Sequence, residues 1–159
     1  MRRSIITEGV LVGLAGATAV AVWFLLYDLA AGVPFRTPAL LGAALFHGLR
    51  DAADLVITPR GVFEYTVVHG LAFMGFGVAL AGLFSPADKD RRILFATFML
   101  LCCFEVFLLA MVMVLAEWLF ETLAPWSIVV GNLVASVIML GVLFRRHHLA
   151  PRELLTAGE

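Results

Sequence analysis

Apolar residues form four long stretches of this chain, and short segments rich in Pro, Gly and charged residues separate them. The longest stretch runs from Ile93 to Phe120 and is apolar almost throughout, with Glu105 near its middle. At ~1.5 Å per residue this helix would be ~40 Å long, which exceeds the ~30 Å hydrocarbon thickness of a bilayer. The pattern therefore predicts a membrane-spanning helix that carries a carboxylate at depth.

The other apolar stretches complete a set of four predicted spans, at about 5–30, 61–84, 93–120 and 127–144. In the first, Gly9, Gly13 and Ala17 recur every fourth residue, with Gly16 beside them. Such small residues let helices approach closely in lipid, where no hydrophobic effect drives their association. We expect this face of the first span to be a packing surface, and the glycine-rich second span to lie centrally.

The segment at about 38–56 predicts an additional helix that does not span. Thr37 suits an N-cap and Pro38 the first helical position, but charged residues return after about three turns, at Arg50, Asp51 and Asp54. We interpret it as an interfacial or re-entrant helix. The predicted fold is thus all-α: a four-helix transmembrane bundle with one extra helix between the first and second spans, all within a single integral membrane domain, 1–159.

Composition supports the membrane assignment and excludes several function classes. The chain is 62% hydrophobic and 14% charged, against about 45–50% and 25% in soluble domains. A net charge of −1 gives no basis for binding nucleic acid. The sequence contains no nucleophile elbow, zinc-protease motif or phosphate-binding glycine loop, so we predict a binding protein rather than an enzyme.

Basic residues predict the orientation of the bundle. In the four-span topology most of them fall on one side: Arg2, Arg3, Lys89, Arg91, Arg92, Arg145, Arg146 and Arg152. The opposite side holds Arg36, Arg50 and Arg60. By the positive-inside rule both termini, and the tail at 145–159, are cytoplasmic.

Two segments carry a resemblance to known proteins. Residues 21–45, together with the helix that contains Tyr65 and His69, resemble uncharacterised small polytopic integral membrane proteins of bacteria. The resemblance implies a location in the bacterial inner membrane. It implies no activity.

Six polar residues fall in the outer half of the predicted bundle and form the candidate site. They are His47, Asp51, Glu64, His69, Glu117 and Glu121. His47 and Asp51 are spaced i,i+4, as are Glu117 and Glu121, and one helical turn is a spacing that suits metal ligation. Aromatic and small residues around His69 equally suit a haem, with His69 as axial ligand and His47 opposite, or plain packing.

Three functional hypotheses follow. The first is a membrane binding protein whose outer cluster holds a metal ion or haem. The second is a cofactor-free accessory subunit that docks on a larger membrane complex, or on a second copy of itself, through glycine and alanine faces. The third is a proton or ion pathway through Glu105, although its apolar surroundings also suit a neutral carboxyl that donates a hydrogen bond. Membrane lipid is the expected partner in every case.

Overall fold

A computed structural model describes residues 4–84 and 117–146, and these residues are helical apart from the links between helices. The helices are α1 (Ile5–Ala30), α2 (Arg36–Phe46), α3 (Pro59–Phe84), a short α4 (Glu117–Thr122) and α5 (Pro125–Arg146). A single 3₁₀ turn, Ala52–Asp54, lies between α2 and α3. The all-α prediction is confirmed for the described part of the chain.

Three of these helices, α1, α3 and α5, are long and apolar enough to cross a membrane. The first predicted span, 5–30, coincides with α1, and the spans predicted at 61–84 and 127–144 fall inside α3 and α5. Of the fourth, 93–120, only the last residues lie in the described part of the chain, as the start of α4. The chain is a multi-pass membrane protein by the length and hydropathy of its helices.

Helix α1 is the central helix of the described structure, and it lies antiparallel to both α3 and α5. Its N-terminal half packs on the C-terminal half of α3, and further along His69 of α3 reaches Ala17 of α1. On its other side, Gly16 contacts Met139 of α5 and Trp23 contacts Gly131. The expectation that the second span lies centrally stays a prediction, since most of the span predicted at 93–120 lies outside the described residues.

Glycine makes the α1–α3 contact possible. A Cβ atom added at Gly9 or Gly13 would overlap backbone atoms of α3, at Val78 and Phe73 respectively. A Cβ atom added at Gly77 would overlap the backbone of Gly9 and Gly13. Since backbone cannot move aside as a flexible side chain can, this contact requires glycine on both helices. The packing surface predicted for the first span is confirmed.

Helix α2 is shorter than the predicted helix at about 38–56. It ends at Phe46, and Gly48 follows at φ 67°, the left-handed conformation in which glycine commonly terminates a helix. Beyond it the carboxylate of Asp51 accepts a hydrogen bond from the backbone N–H of Ala53. This local bond competes with helical hydrogen bonding, so residues 47–58 form a loop that contains the 3₁₀ turn.

Helix α2 lies across one end of the bundle, which we call the α2 end. Leu40 of α2 is fully buried against Leu119 and Leu123, which lie on or just after α4. Gly42 of α2 packs on the backbone of Gly61 near the start of α3. A second apolar core, in which Val12, Leu80, Met139 and Leu143 are buried, ties α1, α3 and α5 together towards the opposite end.

We predict that Gly77→Ala destabilises the protein by about 1–3 kcal/mol, the usual cost of overpacking. The added methyl group overlaps the α1 backbone, which outweighs the gain of up to ~1 kcal/mol in helix propensity. The matched control is Gly75→Ala, also on α3, where no described residue lies within 4 Å of an added Cβ. Thermal unfolding of the purified protein in detergent measures both. Equal melting temperatures for the two variants would contradict the glycine contact.

Candidate functional site

A buried carboxylate, Asp28, joins α1 to α2. Its Oδ2 accepts a hydrogen bond from the backbone N–H of Thr37 at 2.7 Å, and its Oδ1 accepts one from the Thr37 hydroxyl, also at 2.7 Å. Asp28 is 2% exposed and Thr37 is 3% exposed. Because charge-assisted hydrogen bonds in an apolar setting are strong, this pair fixes where α2 begins.

The sequence predicts Thr37 as the N-cap of the extra helix, and that detail was wrong. Helix α2 begins two residues before the predicted first position, at Arg36, and Phe35 occupies the N-cap position with no side-chain hydrogen bond. Asp28 instead supplies the acceptor that a free N–H of the first turn needs, from the preceding helix. Its negative charge also lies at the positive end of the α2 dipole.

Next to this pair is a cavity of about 270 Å³ enclosed by α1, α3 and the start of α2. Its volume clearly exceeds the ~150 Å³ of an engineered apolar cavity that binds benzene. The walls are predominantly apolar, and the cavity is partly open to the surface. It therefore has room for a six-membered ring with a short substituent.

Each helix contributes a distinct part of the cavity wall. Helix α1 contributes mainly small and apolar side chains, Ala21, Phe24 and Leu25 among them. The lining residues with polar side chains include Asp28 and Thr37, which are bonded to each other, and Tyr65 and His69 of α3. The exposed residues Thr18, Ala21, Val22 and Thr66 also line it. Since these belong to two of the candidate spans, the cavity opens, within the described part of the chain, to the lateral surface of α1 and α3.

Phe35 closes the cavity beside α2 at a conformational cost. Its φ is 63°, in the left-handed region that bulky residues rarely adopt, and its side chain is 48% exposed. Such a conformation costs of order 1–3 kcal/mol and persists where the surrounding structure imposes it. It follows Gly32, also at positive φ, in the tight turn between α1 and α2.

His69 is held by α1 and by its neighbours on α3. Its Nε2 lies 3.3 Å from the carbonyl oxygen of Ala17, and since a carbonyl only accepts, Nε2 carries the proton. The ring stacks on Tyr65 with centroids 5.5 Å apart, and Phe73 lies against it at 4.7 Å. No described residue hydrogen-bonds to Nδ1, so that nitrogen offers an acceptor lone pair.

This arrangement does not favour His69 as a haem ligand. Axial histidines bind iron through an unprotonated ring nitrogen, and since Nε2 donates its proton to the Ala17 carbonyl, only Nδ1 is left for that role. The sequence pattern allowed the flanking rings of Tyr65 and Phe73 as the walls of a haem site. Instead both rings contact the imidazole itself, Tyr65 stacked on it and Phe73 tilted at 48°. They pack the histidine in place.

His47 and Glu64, two residues of the predicted cluster, do meet at the α2 end. His47 Nε2 lies 2.8 Å from Glu64 Oε2, and Arg60 Nε donates to Glu64 Oε1 at 2.7 Å. The cluster is peripheral, because the His47 and Arg60 side chains are 42% and 78% exposed. A surface ion pair of this kind contributes about 0–1 kcal/mol. It links the loop after α2 to α3.

The remaining predicted site residues do not join this pair in the described structure. Asp51 is engaged within its own loop. Glu117 and Glu121 belong to α4, but their side chains lie outside the described residues, as does Glu105 entirely. Among the residues described, no three His, Cys, Asp or Glu side chains come together as a metal site would need. The metal and haem interpretation has no support there.

Sequence reasoning missed the cavity and the burial of the two α1 carboxylates. Glu8 and Asp28 lie near the ends of α1, where a carboxylate can ordinarily reach headgroup water, yet they are 9% and 2% exposed. One signal for Asp28 was present. An acidic residue before a Gly-Val-Pro turn and a Thr-Pro helix start can fold back to cap that helix.

We predict that Asp28→Ala destabilises the protein by about 2–3 kcal/mol, because the buried Thr37 N–H and hydroxyl both lose their acceptor. Asp54→Ala, which removes an exposed carboxylate from the loop after α2, should change stability by less than about 0.5 kcal/mol. Thermal unfolding in detergent measures both. Proteolysis of the 47–58 loop should also accelerate in Asp28→Ala alone. Equal effects of the two variants would show that Asp28 does not anchor α2.

Comparison with known proteins adds no family to these observations. No protein-family model, no curated protein and no solved structure matches the chain. The resemblance to small bacterial membrane proteins is therefore supported only in its general form, by three long apolar helices. Function has to be inferred from the site itself.

Proposed function

We propose that this protein binds a small lipophilic molecule within the membrane, in the cavity between α1, α3 and α2. The cavity itself carries the proposal: about 270 Å³ of predominantly apolar space with a few polar atoms in its wall. Ligand sites generally combine an apolar lining with a small number of polar groups that orient the ligand. A metal-ion site instead requires several polar ligands that converge on one point.

The position of the cavity supports a ligand that arrives through the lipid. The α3 residues that line it, Val62 to His69, lie within about 15 Å of the start of that helix. The α1 residues, Thr18 to Asp28, lie within about 18 Å of the end of α1. The site thus extends from the membrane boundary towards its middle, and its lateral opening admits a molecule already dissolved in acyl chains.

Hydrogen-bonding groups give the cavity a means of selection. The Nδ1 lone pair of His69 can accept from a ligand hydroxyl or amine. The Thr18 and Thr66 hydroxyls donate to the carbonyl oxygens of Leu14 and Val62 in their own helices, so towards a ligand they can act only as acceptors. An apolar pocket discriminates weakly between ligands of similar shape. A buried polar group that needs a hydrogen-bond partner discriminates strongly against ligands that cannot provide one. We expect the ligand to combine a ring or short chain with at least one polar group.

The accessory-subunit hypothesis keeps part of its motivation, because Gly70 and Gly75 of α3 have no described residue within 4 Å of an added Cβ. Gly9, Gly13, Gly16 and Gly77, which make the small-residue faces attractive as docking surfaces, are used for packing within the chain. The location in a bacterial inner membrane with cytoplasmic termini remains part of the proposal. In that orientation the α2 end, and with it the cavity, faces away from the cytosol.

We predict that Ala21→Phe removes the bound ligand, because the new ring occupies the cavity that Ala21 lines. Leu26→Phe is the matched control: it lies on the same helix, is 59% exposed, and does not line the cavity. Each protein is purified from the host membrane into nanodiscs. Native mass spectrometry, and chromatography of the solvent extract, then measure co-purifying small molecules. We expect one lipophilic molecule per chain in the wild type and in Leu26→Phe, and little in Ala21→Phe.

The same preparations test the competing hypotheses. A Soret band, or one equivalent of bound metal, would restore the cofactor hypothesis and contradict ours. Equal recovery of small molecules from all three proteins would show that the cavity is not a binding site.

A further inference from the structure

We propose that the ligand of this cavity is a lipophilic amine, bound as a cation with its ammonium group on Asp28. This inference rests on the proposed function and names the ligand class. The observation that carries it is that Asp28, which lines the cavity and is 2% exposed, has no cationic partner among the described residues. No basic side chain of the described residues lies within 4 Å of it, since the ion pairs found there involve Glu64.

The charge balance at Asp28 leaves negative charge to be compensated. Thr37 satisfies one lone pair on each carboxylate oxygen, and a carboxylate has about four such sites, so about two remain. The N-terminus of α2 supplies the equivalent of roughly half a positive charge. This partial charge stabilises the carboxylate but does not neutralise it, and a buried charge without a counter-ion is costly. An ammonium group would neutralise it and fill the remaining lone pairs.

The walls near Asp28 also suit a cation. Phe24, Phe35 and Tyr65 line the same cavity. Aromatic faces attract ammonium groups by about 0.5–2 kcal/mol, more when the pair is shielded from water. With room for a ring and a short chain, the cavity matches an arylalkylamine in size. A carboxylate ligand of the same size would place two negative charges together.

The test uses three probes of one shape that differ in charge. They are 3-phenylpropylamine, which is cationic at neutral pH, n-butylbenzene, which is neutral, and 4-phenylbutanoate, which is anionic. Binding to the full chain in nanodiscs is measured by equilibrium dialysis with radiolabelled probe. Ala21→Phe in identical nanodiscs gives the background from partition into lipid. We expect the wild type to bind the cation at least about tenfold more tightly than the neutral probe, as for a charge-assisted hydrogen bond, and the anion no more than background.

Two variants distinguish the effect of the Asp28 charge on binding from the effect of its contact with Thr37 on the structure. Asp28→Asn keeps an acceptor for Thr37 but removes the charge, so it should lose at least about tenfold in affinity for the cation while its affinity for n-butylbenzene is unchanged. Thr37→Val disturbs the same contact but keeps the carboxylate, and should keep the preference for the cation.

Wild-type protein that binds all three probes equally would overturn the amine assignment while leaving the cavity as a binding site. Binding of none above the Ala21→Phe background would overturn the proposed function as well. If Asp28→Asn does not fold, the wild-type order of affinities decides.

Discussion

The described structure depends on how closely two backbones can approach. In lipid, burying apolar side chains gives helices no reason to associate, so van der Waals contact and hydrogen bonds have to stabilise the bundle. At Gly9, Gly13 and Gly77 the backbones of α1 and α3 touch with no side chain between them. This contact sets the antiparallel alignment of α1 and α3. The arrangement of α2 and the cavity at the α2 end follows from this alignment.

The cavity is a consequence of that alignment. Where the two helices meet through glycine they are in backbone contact, but further along α1 the facing residues are no longer glycines. His69 and Tyr65 extend from α3 towards α1 there, and the helices enclose space between them. A contact that is tight at one end and wider at the other leaves a site accessible from the side. The same sequence feature thus stabilises the bundle and positions the proposed site.

Asp28 serves two purposes that are hard to separate. It holds the start of α2 through Thr37, and it contributes charge to the cavity wall. A capping role alone could be filled by an uncharged Asn or Ser, which cap helices about as well as Asp. A full carboxylate in this position is costly to bury, so its charge calls for a further explanation. Binding of a cation would provide one and would stabilise the α1–α2 junction at the same time.

The sequence by itself determined the helical elements and the membrane environment. The bounds of α1 and the cores of α3 and α5 follow from runs of apolar residues that proline, glycine and charge interrupt. The packing face of α1 could be predicted from the spacing of Gly9, Gly13 and Gly16, because small residues one turn apart share a face. Gly48 marks where α2 ends, whereas the sequence pattern predicts that the helix continues through the polar residues after it. The i,i+4 spacing therefore does not place His47 and Asp51 on one helical face, because α2 ends before both residues.

Only the tertiary structure decided which polar groups meet. Periodicity places residues on a face of one helix and gives no distance between helices. The predicted set grouped His69 with Glu64 by depth, whereas the fold directs His69 to the Ala17 carbonyl and Glu64 to His47 and Arg60. Likewise the burial of Asp28 depends on α2 folding back over the end of α1. A cavity is a property of how helices diverge in space, so no pattern along a single chain could have indicated it.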